Sequence, residues 1–474
     1  MNFTMLNDNT CKKVHFKSLE ILEKIGIEVP HPEMFNLLGD CGNNVDKKTN
    51  RVRMRPDFVE GCVSKAGKSF TLYGRDLTKR ASFGIGKRNY NTTAGEAHWV
   101  EEKSRARRFA NLGDVGTAVR FADALECITI PGAMADPHEI NVSWRCVAVL
   151  AEMLKNTTKP VTFWFHDRKS AKYINELIIA LRGNAEEAKN YPICYPLFEP
   201  ISPLRFPYNG IDLLFETSKL DLPVPIAPMA QMGVSAPATI PALLAQQNAE
   251  VLAGVCITQL IKPGLPVCYG GTCHAFDMAT TQLIFSGPEQ ALFGMAMTQM
   301  GKYYGFPVYV NTGLTDSKVP DGQAGIESGI TLMLSAGTGA DVFGHFGICG
   351  VDQGASLDIL LMQHEIISYV ESVLRDVSFL DSEFALDEIE KTGIGGSFLG
   401  TEHTANNFRK SQWFPKLLDR NFYQTWKEKG YTDMFERIEI EKKRILENHK
   451  AEPLPDTLAK QFDEIISAAK KDLS

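Results

Sequence analysis

Short apolar runs alternate with longer amphipathic stretches through the central part of the chain. Strands are predicted for eight runs rich in β-branched and aromatic residues, at 89–93, 127–130, 161–165, 193–197, 224–227, 267–270, 308–311 and 341–344. Helices are predicted between them, for example at 142–156, 239–261 and 287–305. Apolar strands that alternate with helices are typical of a parallel sheet covered on both faces. Eight such units favour an α/β fold of the (β/α)8 TIM barrel type.

The same pattern divides the chain into three regions. Residues 1–80 are mixed and polar and are predicted to form an N-terminal cap. Residues 81–355 form the predicted barrel, and five of its strand candidates begin directly after a proline, a position that needs no ladder N–H. Residues 356–474 are predicted to be a C-terminal helical extension that packs on the barrel and on another copy, so a homo-oligomer is expected.

Composition excludes several classes of protein. The chain has 474 residues, 44% of them hydrophobic, and a net charge of -7, which argues against nucleic acid as a partner. The N-terminus lacks the pattern of a signal peptide, and no run of 18 apolar residues occurs. Ten cysteines without a C-x-x-C pair suggest free thiols in a reducing compartment. We therefore expect a soluble cytoplasmic protein with no membrane partner.

Candidate chemistry lies after the predicted strands, where barrel enzymes keep their sites. These positions are rich in aromatic side chains and offer few pairs of nucleophile and base. Aromatic faces suit a quaternary ammonium group, which is held by cation–π attraction, and a nearby carboxylate would add to it. The substrate-binding candidates are Trp164, Phe198, Glu199, Tyr208, His274, Phe276, Asn311, His345 and Phe346. The alternative is that the aromatic residues fill the barrel or its rim.

Cys268, Cys273 and His274 are the candidates for a zinc site. Their Cys-x4-Cys-His spacing is not that of a standard zinc site, and Cys268 is expected to point inward from a strand. We predict no bound metal. A zinc-dependent methyltransferase or hydrolase is the alternative.

Two long segments resemble the trimethylamine methyltransferase family, beginning SKLDLPVPIAPMAQMGVSAP and TGLTDSKVPDGQAGIESGI. The second contains the motif T-D-S-K-x-x-D-x-Q-A-x-x-E, formed by Thr315, Asp316, Ser317, Lys318, Asp321, Gln323, Ala324 and Glu327. Together with matching stretches near both termini, the resemblance covers nearly the whole chain. It implies a (β/α)8 barrel that passes a methyl group from a methylated amine to the cobalt(I) of a separate corrinoid protein. The corrinoid partner would dock at the barrel mouth, and this chain would hold no tightly bound cofactor.

Founding members of that family carry pyrrolysine, whereas this chain contains only standard residues. It is therefore most similar to the non-pyrrolysine branch, whose members demethylate glycine betaine and related betaines. A quaternary ammonium leaves as a neutral tertiary amine, so the pocket needs only to bind, orient and desolvate it. We expect glycine betaine to give dimethylglycine. The alternatives are proline betaine, carnitine, or a non-catalytic protein that binds quaternary amines.

The resemblance also suggests roles for single residues. His345 is the first candidate to donate to a betaine carboxylate, with His274 and Arg205 behind it. An ionised Glu199 would repel that carboxylate unless it lay near the ammonium end. Asp316 and Lys318 either contact substrate or pair with each other and fix their loop. No residue of this chain is predicted to act as a proton-transfer catalyst.

Overall fold

The computed structural model describes residues 3–101 and 104–474. The chain begins with α1 (Asp8–Lys24), β1 (Ile27–Glu28), α2 (Pro32–Asp40), β2 (Asn44–Asp46), β3 (Arg51–Arg53), α3 (Pro56–Lys65), β4 (Phe70–Tyr73) and β5 (Arg80–Phe83). β1, β3 and β2 form an antiparallel sheet, and β4 pairs with β5 as a hairpin. α1 begins where the Asn7 side chain accepts from the backbone N–H of Thr10 and ends before Gly26, whose φ is 80°. Glycine tolerates that left-handed conformation, which sets the end of the helix.

A parallel five-stranded sheet lies at the centre of the chain. The elements of this region are β6 (Asn89–Thr92), β7 (His98–Glu101), β8 (Ala106–Phe109), α4 (Leu112–Ala124), α5 (Val142–Asn156), α6 (Arg168–Arg182), α7 (Ala185–Asn190), α8 (Tyr208–Thr217), β9 (Val224–Ile226), α9 (Ile240–Ile261), β10 (Val267–Gly271), β11 (Ala275–Asp277), β12 (Gln282–Ile284), α10 (Pro288–Tyr303), β13 (Val308–Val310), α11 (Gly322–Thr338), β14 (Val342–Phe346), β15 (Ile348–Cys349), β16 (Gly354–Ala355) and α12 (Leu357–Val373). The sheet order is β6-β14-β13-β10-β9, all parallel. The α/β class is confirmed, and the sheet curls as half of a barrel.

The predicted strands at 127–130, 161–165 and 193–197 do not form continuous ladders. Single parallel bridges join Asn91 to Ile130, Gly132 to Thr162 and Phe198 to Ile226. Prolines at positions 131, 160, 192 and 196 lie in or beside these segments and remove backbone N–H donors. The prediction of regular strands was therefore wrong there. Closure into eight strands stays a prediction.

The β4–β5 hairpin covers one end of the sheet. Leu72, Ala81 and Phe83 of the hairpin share a buried cluster with Tyr309 and with other residues of the sheet interior. A parallel bridge between Gly67 and Pro266, directly before β10, places the hairpin at the N-terminal ends of the strands. The hairpin therefore does not cover the C-terminal ends of the strands, where the polar side chains lie.

α9 is long and apolar enough to cross a membrane by length and composition, but 83% of that stretch is buried inside the protein. It packs against α1, α3 and β10. Its buried Glu250 accepts hydrogen bonds from Ser202 Oγ at 2.6 Å and from the Leu204 N–H at 2.9 Å. Internal polar partners of this kind identify α9 as a core helix.

The C-terminal extension comprises α13 (Leu386–Thr392), α14 (Glu402–Ser411), α15 (Tyr423–Glu428), α16 (Met434–Asn448) and α17 (Asp456–Leu473). α16 packs on α12, where Lys442 Nζ lies 2.6 Å from Asp358. α17 packs on α5 and α6, and the Tyr173 hydroxyl donates to Asp472 at 2.9 Å. Helices α13, α14 and α15 bury none of their described residues. The end of the extension is thus fixed to the central region, while its middle is exposed.

Candidate active site

His345 lies inside the last strand of the sheet, at a bulge. The register of β14 against β6 shifts between Phe343 and Phe346, and His345 between them has a φ of 72°. The sequence placed this residue just past the strand, whereas the ladder continues to Phe346. A non-glycine residue in the left-handed region is uncommon, and such strain is found preferentially at functional sites.

Two aromatic residues hold the His345 ring. The Tyr309 hydroxyl lies 2.8 Å from Nε2, and the Trp164 ring stacks on the imidazole with centroids 6.1 Å apart. Trp164 is itself fixed, because its Nε1 donates to the Gly95 carbonyl at 3.0 Å. Burial lowers the pKa of His345 to about 4, so the ring is neutral at pH 7. Among the described residues, none is hydrogen-bonded to Nδ1.

Three carboxylates from separate loops lie around this group. Glu96 follows β6, Glu199 follows the segment 193–198, and Asp352 lies in the turn between β15 and β16. Burial raises the pKa of Glu96 to about 8 and that of Glu199 to about 7, and the charge of Asp352 raises both further. Burial also raises the pKa of Asp352. The described part of the chain supplies no cationic side chain that offsets these shifts.

Two of the carboxylates are linked to Trp164 and Tyr309, one by a neighbouring backbone contact and the other by its charge. Glu96 accepts from Thr93 Oγ1 at 2.7 Å and is the next residue after Gly95, which binds Trp164. The charge of Glu199 also raises the pKa of the buried Tyr309 hydroxyl, after the larger effects of burial and of a neighbouring tyrosine. Glu199 and Asp352 are solvent-accessible, although protein surrounds them. Both side chains therefore lie at the solvent-exposed side of the site, after the C-terminal ends of the strands.

His274 and Asn311 form a second polar pair in the same region. Asn311 Nδ2 lies 3.4 Å from His274 Nε2, and the His274 ring stacks on Phe285 with centroids 4.6 Å apart. Burial, and then repulsion from the protonated form of His345, lower the pKa of His274 to about 3, so this ring is also neutral at pH 7. His274 Nδ1 and Asn311 Oδ1 are buried without a hydrogen-bond partner among the described residues. Such atoms need a water molecule or a ligand, because an unpaired buried polar atom is costly.

Other predicted residues lie apart from this group. Phe198 and Phe346 are buried in the hydrophobic core. Phe198 points away from the exposed Glu199, because neighbouring side chains alternate along an extended chain. Tyr208 is 47% exposed at the start of α8. Phe276 is half-buried on the β11–β12 hairpin, and Arg205 is exposed. The structure brings together His345, Trp164, Glu199, His274 and Asn311.

The zinc candidates do not converge. Cys268 belongs to the cluster beneath the hairpin, and burial raises the pKa of Cys273 to about 12, which disfavours the thiolate that a metal needs. Within residues 3–101 and 104–474, no group of three or more His, Cys, Asp or Glu side chains is placed to hold a metal ion.

The motif at 315–327 forms a hydrogen-bond network within its own loop and the start of α11. Glu327 on α11 accepts from Thr315 Oγ1 at 2.6 Å, from the Asp316 N–H at 2.8 Å and from Gln323 Nε2 at 2.8 Å. Lys318 is exposed and donates to the backbone carbonyl of Asp316 at 2.8 Å, not to its carboxylate. The Asp316 carboxylate instead accepts from a backbone N–H at the end of β12. Asp316 and Lys318 therefore fix the loop through backbone contacts.

Removing the centre of this network is expected to destabilise the protein. Glu327→Ala should lower the free energy of unfolding by about 2 kcal/mol, because the buried Thr315 hydroxyl and the Asp316 N–H lose their acceptor. Gln323→Ala, which removes one exposed contact to the same carboxylate, should change it by less than about 0.5 kcal/mol. Urea titration of both variants checks this; equal stabilities would show that the network does not support the loop.

Sequence reasoning missed three members of the site. Glu96 stands at the C-terminal end of the first strand, so the strand-end rule applied to that strand would have indicated it. Asp352 lies in a turn with no pattern, and only the fold directs it toward Glu199. Tyr309 reads as a core residue of β13, and its role becomes visible only through its bond to His345.

Comparison with known proteins gives consistent matches over the whole chain. The model of the family "Trimethylamine methyltransferase (MTTB)" matches residues 1–474. A glycine betaine methyltransferase of Desulfitobacterium hafniense is 31% identical over 469 residues, covering 98% of this chain and 96% of that protein. Trimethylamine methyltransferase MttB of Methanosarcina barkeri is 26% identical over 488 residues, covering 99% and 96%. The crystal structure of the Methanosarcina barkeri monomethylamine methyltransferase superposes with a TM-score of 0.46 at 10% identity, covering 100% of this chain and 94% of that one.

Proposed function

The chain belongs to the trimethylamine methyltransferase (MTTB) family, and we propose that it moves a methyl group from a quaternary amine to the cobalt(I) of a separate corrinoid protein. Glycine betaine is the proposed substrate. The glycine betaine methyltransferase among the relatives supports this choice, as does the absence of pyrrolysine from the sequence.

The observation that carries the proposal is the cluster of Glu96, Glu199 and Asp352 beside Trp164. These carboxylates have no cationic partner in the described part of the chain, so a cation that entered the cavity would offset their mutual repulsion. A quaternary ammonium cannot donate hydrogen bonds and is held by charge and by aromatic faces. The half-buried Trp164 ring supplies such a face.

The carboxylate of a betaine needs a donor away from that cluster. His345 is neutral, and when the Tyr309 hydroxyl donates to Nε2 the ring proton lies on Nδ1. Nδ1–H is then free to donate to the substrate. The Asn311 amide, whose oxygen lacks a partner, lies in the same region and would hold a bridging water.

The transfer itself needs little from the side chains. The methyl acceptor is a substrate that the partner protein brings to the cavity; its electron pair forms the new bond to the methyl carbon, and the C–N pair remains on nitrogen. The amine leaves neutral, so no proton has to move. The residues of this chain bind the cation, orient the methyl group toward the open end of the cavity and exclude water.

Two further expectations belong to the same proposal. The bridges at 130, 162 and 198 support a complete (β/α)8 barrel, whose open end would receive the corrinoid partner. The ten cysteines are all free, which supports a reducing cytoplasm as the location.

Incubation with a reduced corrinoid protein and a panel of amines tests the function. We expect glycine betaine to give methyl-cobalt(III) and dimethylglycine, faster than proline betaine, carnitine or trimethylamine. Methylation by another betaine alone would replace the substrate and keep the reaction type. Binding of betaines by calorimetry, without transfer to any corrinoid protein, would instead favour a binding protein.

A further inference from the structure

The turn between β15 and β16 has an unusual backbone. Three consecutive residues of this turn, Gly350, Val351 and Asp352, have φ angles of 63°, 61° and 58°. Left-handed residues normally occur singly, and a β-branched side chain disfavours this conformation most strongly. Glycine accepts it freely, so the strain falls on Val351 and, to a smaller degree, on Asp352. Such strain persists only where contacts from the rest of the protein hold the turn. We call residues 349–354 the flap.

A small number of contacts hold the flap in this conformation. The Gly350 N–H donates to the Ser317 carbonyl at 3.0 Å, and Arg107 Nη1 donates to the Gln353 side chain at 3.0 Å. Val351 packs on a small hydrophobic cluster that is separate from the main core. Among the described residues, the buried members of this cluster are Phe285, Leu314 and Ile348. A segment with so few buried apolar contacts opens at a low cost in free energy.

The flap also brings Asp352 toward two other carboxylates. β16 pairs with β7 through Ala355 and Trp99, so the flap lies beside the part of the chain that follows Glu96. Burial, and then the charge of Asp352, raise the pKa of both Glu96 and Glu199. The ionised form of Asp352 therefore repels the ionised forms of both glutamates. Charge repulsion and backbone strain both oppose the position that the flap occupies.

We propose that the flap alternates between an open form and the closed form of this structure, and that a bound ammonium group closes it through Asp352. This inference rests on the proposed function, because it takes the ammonium group as the ligand. A ligand shifts a conformational equilibrium only by its difference in affinity for the two forms. A cation meets that condition, since it offsets the repulsion between Asp352 and the two glutamates when the flap is closed. The contact between Gly350 and Ser317 then gives the motif at 315–327 a positioning role, because it fixes where the flap closes.

Hydrogen exchange of the flap amides, followed by mass spectrometry, tests the inference first without ligand. Asp352→Asn removes the charge, and asparagine tolerates the left-handed conformation, so exchange at 350–353 should slow about 3- to 10-fold relative to the intrinsic rates. Val351→Thr keeps the branched shape and the strain but weakens the apolar contact, so exchange should become about 3-fold faster or more. Unchanged exchange in Asp352→Asn would overturn the inference.

Two controls accompany these variants. Asp40→Asn removes an exposed carboxylate at the end of α2 and should leave exchange of the flap unchanged. The β4–β5 hairpin lies at the opposite ends of the strands, so its exchange should be the same in every variant and reports that each variant is folded.

Saturating glycine betaine supplies the second comparison. In the wild-type protein it should slow exchange of the flap at least about 10-fold, because the cation favours the closed form. The flap of Asp352→Asn is already mostly closed, so betaine should slow its exchange less than about threefold. If the ligand merely shielded the amides, the two proteins would gain equal protection, and that result would overturn the inference.

Titration calorimetry of the same samples separates this inference from the proposed function and sets the saturating concentration for each protein. Betaine that binds the wild-type protein without slowing exchange of the flap would overturn the flap and leave the proposed function standing. Absence of betaine binding would overturn the proposed substrate together with closure by its ammonium group.

Discussion

His345→Ala is expected to lower kcat/KM for methyl transfer from glycine betaine about 100-fold, as the loss of one well-placed donor does in other enzymes. The substitution removes the Nδ1–H donor proposed for the substrate carboxylate. It also removes the ring that packs on Trp164, so the ammonium end loses part of its alignment. The rate of methyl-cobalt(III) formation as a function of betaine concentration measures the effect.

A substrate without a carboxylate shows whether His345 binds the substrate carboxylate or only supports the structure of the site. Tetramethylammonium has the same reacting group as glycine betaine but no carboxylate for Nδ1–H to bind. The wild-type protein should therefore demethylate it more slowly than glycine betaine, and His345→Ala should change that rate less than about threefold. His345→Asn offers an amide donor at a backbone conformation that asparagine tolerates, and should recover part of the betaine activity. An equal loss for both substrates would show that His345 only supports the fold of the site.

Glu199→Gln is expected to weaken the binding of glycine betaine by about 10- to 100-fold, because one of the charges that face the ammonium is removed while the shape is kept. Titration calorimetry gives the dissociation constant directly. Glu186→Gln, which removes an exposed carboxylate at the start of α7, is the matched control and should leave it unchanged. An unchanged affinity in Glu199→Gln would contradict a cation-binding role.

The same carboxylates predict how betaine binding depends on pH. In the free protein the pKa of Glu199 is raised to about 7 and that of Glu96 to about 8, so both are partly protonated at pH 7. A cation stabilises the ionised form, so binding releases protons and the affinity rises as the pH rises through this range. Glu199→Gln should make the profile shallower. Calorimetry in two buffers of different ionisation enthalpy counts the released protons, and zero release would contradict the prediction.

Much of the architecture was predictable from the sequence because local patterns carry it. The helix predicted at 142–156 is α5 (Val142–Asn156), and the segments at 224–227, 267–270 and 308–311 match β9, β10 and β13 to within one residue at each end. Where prolines interrupt the apolar runs, the same β-rich composition yielded only single bridges. A β-rich composition predicts an extended backbone. A continuous strand also needs backbone N–H donors for its hydrogen bonds, and proline lacks them.

The candidate site was less predictable. The motif at 315–327 is the most specific stretch of sequence in the chain, yet its side chains mainly bond to one another and to the backbone. A specific motif can consist of residues that shape a loop as well as of residues that contact a substrate. Phe198 and Glu199 show why a position after a strand does not by itself identify a site residue. Adjacent side chains on an extended segment face opposite sides, so Phe198 is buried while Glu199 is exposed.

The sequence by itself determined the main helices of the central region, five of its eight predicted strands and the likeness to a methyltransferase family. A cation site at the strand ends stays a prediction. Only the tertiary structure decided that the charge of Asp352 acts on both Glu96 and Glu199, and that a bulge places His345 against Trp164 and Tyr309. The physical reason is the distance along the chain between the residues that interact. Helix and strand formation depend on residues close together in the chain, whereas the pKa of a carboxylate and the partner of a histidine depend on groups that long-range folding brings together.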